Sequence, residues 1–144
     1  MAITQLSAFL ENTSGTLCDA LTTLTEAGVN IRALSVADTK DFGIVRIIVS
    51  DIEKTKAALS NDTLVKETPV IAVKMNDKTG ALKEVLSIFK AEKINVEYVY
   101  AFTGSAQGDA YVVLRVDELE KAETILAQNN IKTLNDSDIT DYLK

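Results

Sequence analysis

The chain has no histidine and no tryptophan, one cysteine (Cys18), one proline (Pro69) and six glycines in 144 residues. Lacking histidine, it lacks the commonest general acid–base group and the commonest transition-metal ligand. A single cysteine rules out an intrachain disulfide, and without histidine beside it a structural zinc site is excluded as well. No stretch approaches the ~20 apolar residues of a membrane-spanning helix, so no membrane partner is expected. The opening Met-Ala-Ile-Thr-Gln-Leu-Ser-Ala-Phe-Leu-Glu has neither the basic segment nor the long apolar segment of a signal peptide, which predicts a cytoplasmic protein. Fifteen Lys and Arg oppose twenty-one Asp and Glu, for a net charge of −6, and the bases are dispersed along the chain. That balance repels phosphate backbones and predicts no nucleic-acid partner. Glycine-rich phosphate loops, the Gly-x-Ser-x-Gly elbow and the dinucleotide fingerprint are all missing. Neither catalysis nor a cofactor is expected.

What the chain does contain is the makings of a core. Apolar residues make up 47% and charged residues 25% of it, the composition of a folded soluble chain. A compact chain of this length buries roughly two thirds of its unfolded surface, enough for one medium domain or two small ones.

A repeat decides between these. Aligning Asn12-Thr-Ser-Gly-Thr-Leu-Cys-Asp-Ala-Leu with Asp77-Lys-Thr-Gly-Ala-Leu-Lys-Glu-Val-Leu sets Gly15 on Gly80, a displacement of 65 residues. The same register carries Leu17 onto Leu82, Leu24 onto Phe89, Val29 onto Ile94 and Asn30 onto Asn95. Beyond a two-residue expansion near Gly104 to Gly108, Val49 falls on Val116 and Leu59 on Leu126, a displacement of 67. Two domains are therefore expected, 1–68 and 69–144, the second with a short C-terminal tail.

Within the first copy, the spacing predicts a strand over Ile3 to Leu10 and a helix carrying Leu17, Leu21, Leu24 and Ala27, stopped at Gly28. Strands follow over Val29 to Ala37 and Phe42 to Val49, then a helix over Asp51 to Leu59 and a strand over Thr63 to Glu67. The second copy repeats the order over Val70 to Met75, Ala81 to Glu92, Ile94 to Thr103, Asp109 to Val116, Asp117 to Gln128 and Ile131 to Leu134. In the tail, Asp136 or Ser137 is a candidate cap for a short helix carrying Ile139, Tyr142 and Leu143. A β-α-β-β-α-β order with right-handed crossovers gives an antiparallel sheet with both helices on one face. The fold class is thus α+β, two ferredoxin-like modules in tandem. Val45, Ile47, Val49 and Val112, Leu114, Val116 are expected to face the helices. The alternate positions Ile44, Arg46, Ile48 and Tyr111, Val113, Arg115 are too apolar for a face open to water, and Tyr98, Tyr100 and Phe102 add aromatic surface. Contact between copies or between chains, with a homodimer as the closed solution, is expected.

The candidate site is the turn before each first helix. In Asn12-Thr13-Ser14-Gly15-Thr16-Leu17 a glycine stands at a helix N-terminus whose first N–H groups lack intrahelical partners, an arrangement suited to an anion. The second copy offers Asp77, Thr79, Gly80, Ala81 and Leu82. Asn30 and Asn95, at the mouth of the second strand of each copy, can donate to a carboxylate and accept from an ammonium, the two groups of an amino acid. The same Asn, Thr and Ser residues are favoured in turns and caps for local reasons, and the sequence leaves both readings open. Cys18, on an amphipathic helix with no histidine to activate it, is expected to be a buried filler rather than a nucleophile. Arg46 and Arg115 can pair acids or merely lay their stems along the sheet.

The run Glu11-Asn12-Thr13-Ser14-Gly15-Thr16-Leu17, followed by Glu26-Ala27-Gly28-Val29-Asn30-Ile31, resembles the signature of ACT domains, and the resemblance spans nearly the whole chain twice. It implies β-α-β-β-α-β modules that bind amino acids and regulate metabolic enzymes. It also implies an effector held where modules pair, between the turn of one and the strand-two asparagine of its neighbour. Carried onto this sequence, it nominates Asn12 facing Asn95 as the better site. Asp77, which replaces Asn12 in the second copy and repels a carboxylate when ionised, facing Asn30, is the weaker one. The expected function is a non-catalytic amino-acid sensor with a possible metabolic enzyme as partner. The alternative is a regulatory subunit docked on a biosynthetic enzyme such as acetolactate synthase.

Overall fold

A computed structural model describes residues 2–38, 41–60, 63–105 and 107–141. The elements are β1 (Ile3–Glu11), α1 (Thr16–Glu26), β2 (Ile31–Asp38), β3 (Phe42–Val49), α2 (Ile52–Leu59), β4 (Leu64–Asn76), α3 (Ala81–Ala91), β5 (Val96–Ala101), β6 (Asp109–Val116), α4 (Leu119–Gln128), β7 (Thr133–Leu134) and α5 (Asp136–Asp141). They form an α+β fold of two ferredoxin-like modules. The two compact units are Thr4–Thr68 with Ile139–Lys144, and Met1–Ile3 with Pro69–Asp138.

In the first module β3 pairs antiparallel with both β1 and β2. Strand alternation turns Leu6, Ala8 and Leu10 of β1 and Val45, Ile47 and Val49 of β3 toward the helices, where Leu24 of α1 and Leu59 of α2 close the core. A side chain buried as completely as Leu24 contributes about 1.5–3 kcal/mol. In the second module β6 pairs with β4 and β5, and β7 adds to the other edge of β4. Ile71, Val73, Val112, Leu114 and Val116 pack there against Phe89 of α3 and Leu126 of α4. Both expected helix-facing triplets on β3 and β6 are in these cores. On the opposite sheet face, Ile48 and Val113 are buried as well. Arg115 donates to the Pro69 carbonyl at 2.8 Å and lies 3.5 Å from the Glu97 carboxylate, so it pairs within its own module.

Several boundaries differ from the periodic reading, each for a local reason. The strands expected over Thr63 to Glu67 and Val70 to Met75 are one element, β4, which runs through Pro69; the fixed φ of proline fits an extended chain. β2 and β5 begin two residues later than expected because the N–H groups of Val29 and Ile94 are taken by the last carbonyls of the preceding helices, at 3.0 and 2.9 Å. Each then enters its sheet through a bulge at the same place, between Ile31 and Ala33 and between Val96 and Tyr98. Asp51 caps α2 by accepting from the Lys54 N–H at 2.9 Å, but Asp117 accepts from the Asn95 N–H at 3.0 Å instead. α4 accordingly starts at Leu119. The tail helix α5 is capped by Asn135, not by Asp136 or Ser137. Its side chain accepts from the Asp138 N–H at 2.9 Å while the Asp138 carboxylate accepts from the Asn135 N–H at 2.9 Å, a reciprocal capping box. Ile139 is buried as expected; Tyr142 and Leu143 lie outside the described residues.

Candidate functional site

The two turns have the same geometry although their side chains differ. Gly15 (φ 86°, ψ −15°) and Gly80 (φ 85°, ψ −2°) are left-handed residues at the N-termini of α1 and α3. The Thr16 N–H donates to the Thr13 carbonyl at 3.3 Å, and the Ala81 N–H to the Lys78 carbonyl at 3.2 Å. The Asp19 and Glu84 N–H groups return to the glycine carbonyls at 2.9 and 3.0 Å. The strand ends are tied down by the Asn12 N–H on the Asp41 carbonyl (3.3 Å) and the Asp77 N–H on the Gly108 carbonyl (3.0 Å). Only a residue comfortable at positive φ fits the corner, which is why glycine stands there twice.

The Asn, Thr and Ser side chains do not cap these helices. Neither α1 nor α3 has a side-chain cap hydrogen bond, whereas α2 has one from Asp51. The hydroxyls of Thr13 and Thr16 instead lie 2.6 Å apart, bonded to each other across the turn. Among the described residues no acceptor meets the N–H groups of Leu17 and Cys18, or of Leu82 and Lys83. A Cβ built at Gly15 or Gly80 has no atom within 4 Å beyond its own chain neighbours, so neither corner is crowded.

The nominated residues divide by what they present. Asn12, Thr13, Ser14 and Gly15 are exposed, as are Asp77, Thr79 and Gly80. Thr16 is half-buried, Leu17 and Leu82 lean on their module cores, and Ala81 is buried. Ala81 therefore offers backbone, not side chain, to a solute, whereas Leu17 and Leu82 keep part of their side chains exposed. Asn30 and Asn95 are exposed while their backbones are occupied: the Asn30 N–H donates to the Ser50 hydroxyl (3.0 Å) and its carbonyl accepts from the Ser50 N–H (2.9 Å). Asp117 makes the same pair of bonds to Asn95. Within one module the turn and the asparagine stand at opposite ends of an 11-residue helix, about 16 Å apart at 1.5 Å per residue. A single module does not bring them together.

One feature escaped the sequence reading. Along the outer side of α1 runs a groove of about 760 Å³ that begins at Thr13 and Gly15 and continues over Leu17, Cys18, Leu21 and Thr25. Its signal was present in Leu17 and Leu21, one helical turn apart, with Cys18 beside them, an apolar stripe wider than the core contact needs; Cys18, expected to be buried, is exposed because it lies on this outer side of α1. Among the described residues there is no group of three potential metal ligands, and no helix is long and apolar enough to cross a membrane.

Comparison with known proteins gives these observations a family. The model described as ACT domain pair matches residues 1–143. A solved protein of Bacteroides thetaiotaomicron is 36% identical, with a TM-score of 0.89, over 97% of this chain and 96% of its own. The ligand-free regulatory subunit of aspartate kinase from Thermus thermophilus shares the fold at a TM-score of 0.64 and 11% identity, over 87% of this chain and 90% of its own. Its counterpart from Thermus flavus does so at 0.56 and 12%, over 88% and 90%. No curated protein matches the chain significantly.

Proposed function

This chain belongs to the ACT domain pair family, and from that membership we propose that it is a non-catalytic regulatory protein whose effector is a free amino acid bound at the Gly15 turn. The observation that carries this reading is the pair of uncapped N–H groups of Leu17 and Cys18, reached over a glycine with open space above it. An α-carboxylate there accepts charge-assisted hydrogen bonds worth ~1.5–3 kcal/mol each. The helix dipole adds ~0.3–1 kcal/mol. The exposed amide of Asn95, from a neighbouring module, is the proposed second anchor, able to receive the ammonium or a carboxylate oxygen; Asn30 has that role only for the weaker Asp77 turn. The groove over Leu17 and Leu21 receives the effector's side chain and favours an apolar one.

The first turn is the stronger site in this proposal because Asn12 carries no charge, whereas the exposed Asp77 opposes a carboxylate at the second. The protein is proposed to act in the cytoplasm and as a homodimer; apolar Val36 and Val99 exposed on β2 and β5 support association. Effector binding shifts the regulated partner only through different affinities for two states. A second reading, docking on a biosynthetic enzyme, is supported by the shared fold with a regulatory subunit of aspartate kinase.

Screening the twenty amino acids by melting temperature separates the two. A sensor is stabilised alone by an apolar amino acid, whereas an obligatory subunit shows no shift until its enzyme, recovered by co-purification, is restored. For the anchor, Asn95→Ala is expected to weaken effector binding about tenfold, the loss of one charge-assisted hydrogen bond, and Asn30→Ala to leave the first-turn affinity unchanged. Equal affinity in the wild type and Asn95→Ala contradicts the assignment of the amide.

A further inference from the structure

Each module holds a second hollow at the same place in its topology, between the end of its first strand, the start of its first helix and the chain that follows its second helix. The hollow is about 630 Å³ in the first module and about 360 Å³ in the second. Its lining corresponds residue by residue in the register of the repeat: Glu11 with Asn76, Thr16 with Ala81, Asp19 with Glu84 and Thr63 with Asn130. The fold builds the same cavity twice, but the charge is inverted. Among the described residues the first is lined by two carboxylates, Glu11 and Asp19, and no base. The second is lined by Lys74, Lys78 and Lys132 with one acid, Glu84. In a chain of net charge −6, three of the fifteen basic side chains converge on this hollow.

Backbone bonds fix that convergence. The Lys74 N–H donates to the Lys132 carbonyl at 2.9 Å, and the Lys78 N–H to the Asn76 carbonyl at 2.9 Å. The Lys74 ammonium is 3.2 Å from the Asp109 carboxylate. Lys78 and Lys132 have no ion-pair partner among the described residues. Two lysines left uncompensated across a small hollow raise the local potential and attract an anion. Asn76 and Asn130 add amide donors.

We propose that this hollow in the second module binds a small oxyanion, the phosphate or carboxylate groups of a compact metabolite, held between Lys78 and Lys132 with Asn76 and Asn130 donating. It is separate from the amino-acid site in the first module and does not depend on it, since its probes carry no ammonium. The test is titration of the full, isotopically labelled chain with inorganic phosphate and, separately, with succinate, followed by the backbone amide resonances. Saturable shifts at Asn76, Lys78, Asn130 and Lys132 with either probe support the proposal, and the tighter probe identifies the oxyanion. Lys78→Gln and Lys132→Gln should each weaken binding about tenfold, while Glu84→Gln strengthens it by removing the acid that lines the hollow. These side chains are exposed, so an unchanged melting temperature shows that the variants fold. Shifts that rise linearly without saturation, or an affinity unchanged when both lysines are replaced, overturn the assignment.

Discussion

At Gly28 and Lys93 the two repeats place different residues in one backbone conformation. Both are left-handed, at φ 73° and 57°, and both terminate the first helix of their module. The lysine holds that conformation against its own Cβ, at a cost of about 1–2 kcal/mol. Lys93→Gly is therefore expected to raise stability in chemical denaturation by about 0.5–1 kcal/mol, the strain relieved less the entropy that glycine adds to the unfolded chain. A loss of stability contradicts this account of the turn. Gly15 and Gly80 test the converse. Gly15→Ala and Gly80→Ala are expected to destabilise by a similar ~1–2 kcal/mol, since both corners are left-handed and neither is crowded. Only Gly15→Ala should also abolish amino-acid binding, which calorimetry on the matched pair reads directly. Equal loss of binding in the two variants moves the site away from the first turn.

Among the elements, α5 shows how a short segment is held. Six residues are too few for a stable isolated helix, so this one persists through the Asn135–Asp138 capping box and the burial of Ile139. Ile139→Ala is expected to cost about 2–5 kcal/mol and Asn135→Ala about 1 kcal/mol in equilibrium unfolding. A near-neutral Ile139→Ala variant contradicts the buried role of the tail. The apolar face of each strand was readable because period-two alternation leaves no choice: Val45, Ile47 and Val49 can reach the helices only together. The repeat carried the same reading into the second module. Strand ends were less legible, because they depend on where particular N–H groups go. The bonds of Val29 and Ile94 to the preceding helices, and the diversion of Asp117 from capping to Asn95, are side-chain and backbone choices that periodicity does not record. For the site, glycine at the helix start was visible in the sequence, but the missing side-chain cap was not. The preference of Asn, Thr and Ser for caps predicted the opposite, and the Thr13–Thr16 hydroxyl pair shows where part of that capacity went. The groove of α1 and the charge inversion between the two small hollows required the three-dimensional placement of residues from several segments of each module or of one helix's whole outer side.

On the scale of the whole molecule, duplication followed by divergence explains the combination of features. The two modules share their turns, their bulges and their core positions to the residue, so one folding solution serves twice. The copies differ along their whole length, and at the helix N-termini the differences change charge: Asn12 becomes Asp77, Thr13 becomes Lys78 and Glu11 becomes Asn76. Equal backbone cradles with unequal charge suit the two different solutes proposed above. An effector that binds only the folded chain stabilises it by about 2.7 kcal/mol at a hundred times its dissociation constant. For a chain near 150 residues that raises the melting temperature by about 5–10 °C. The most direct measurement is the melting temperature of the wild type and of Gly15→Ala across the twenty amino acids at saturating concentration. The account predicts a rise of that size with an apolar amino acid in the wild type and none in the variant. No rise with any amino acid, or the same rise in both proteins, contradicts it.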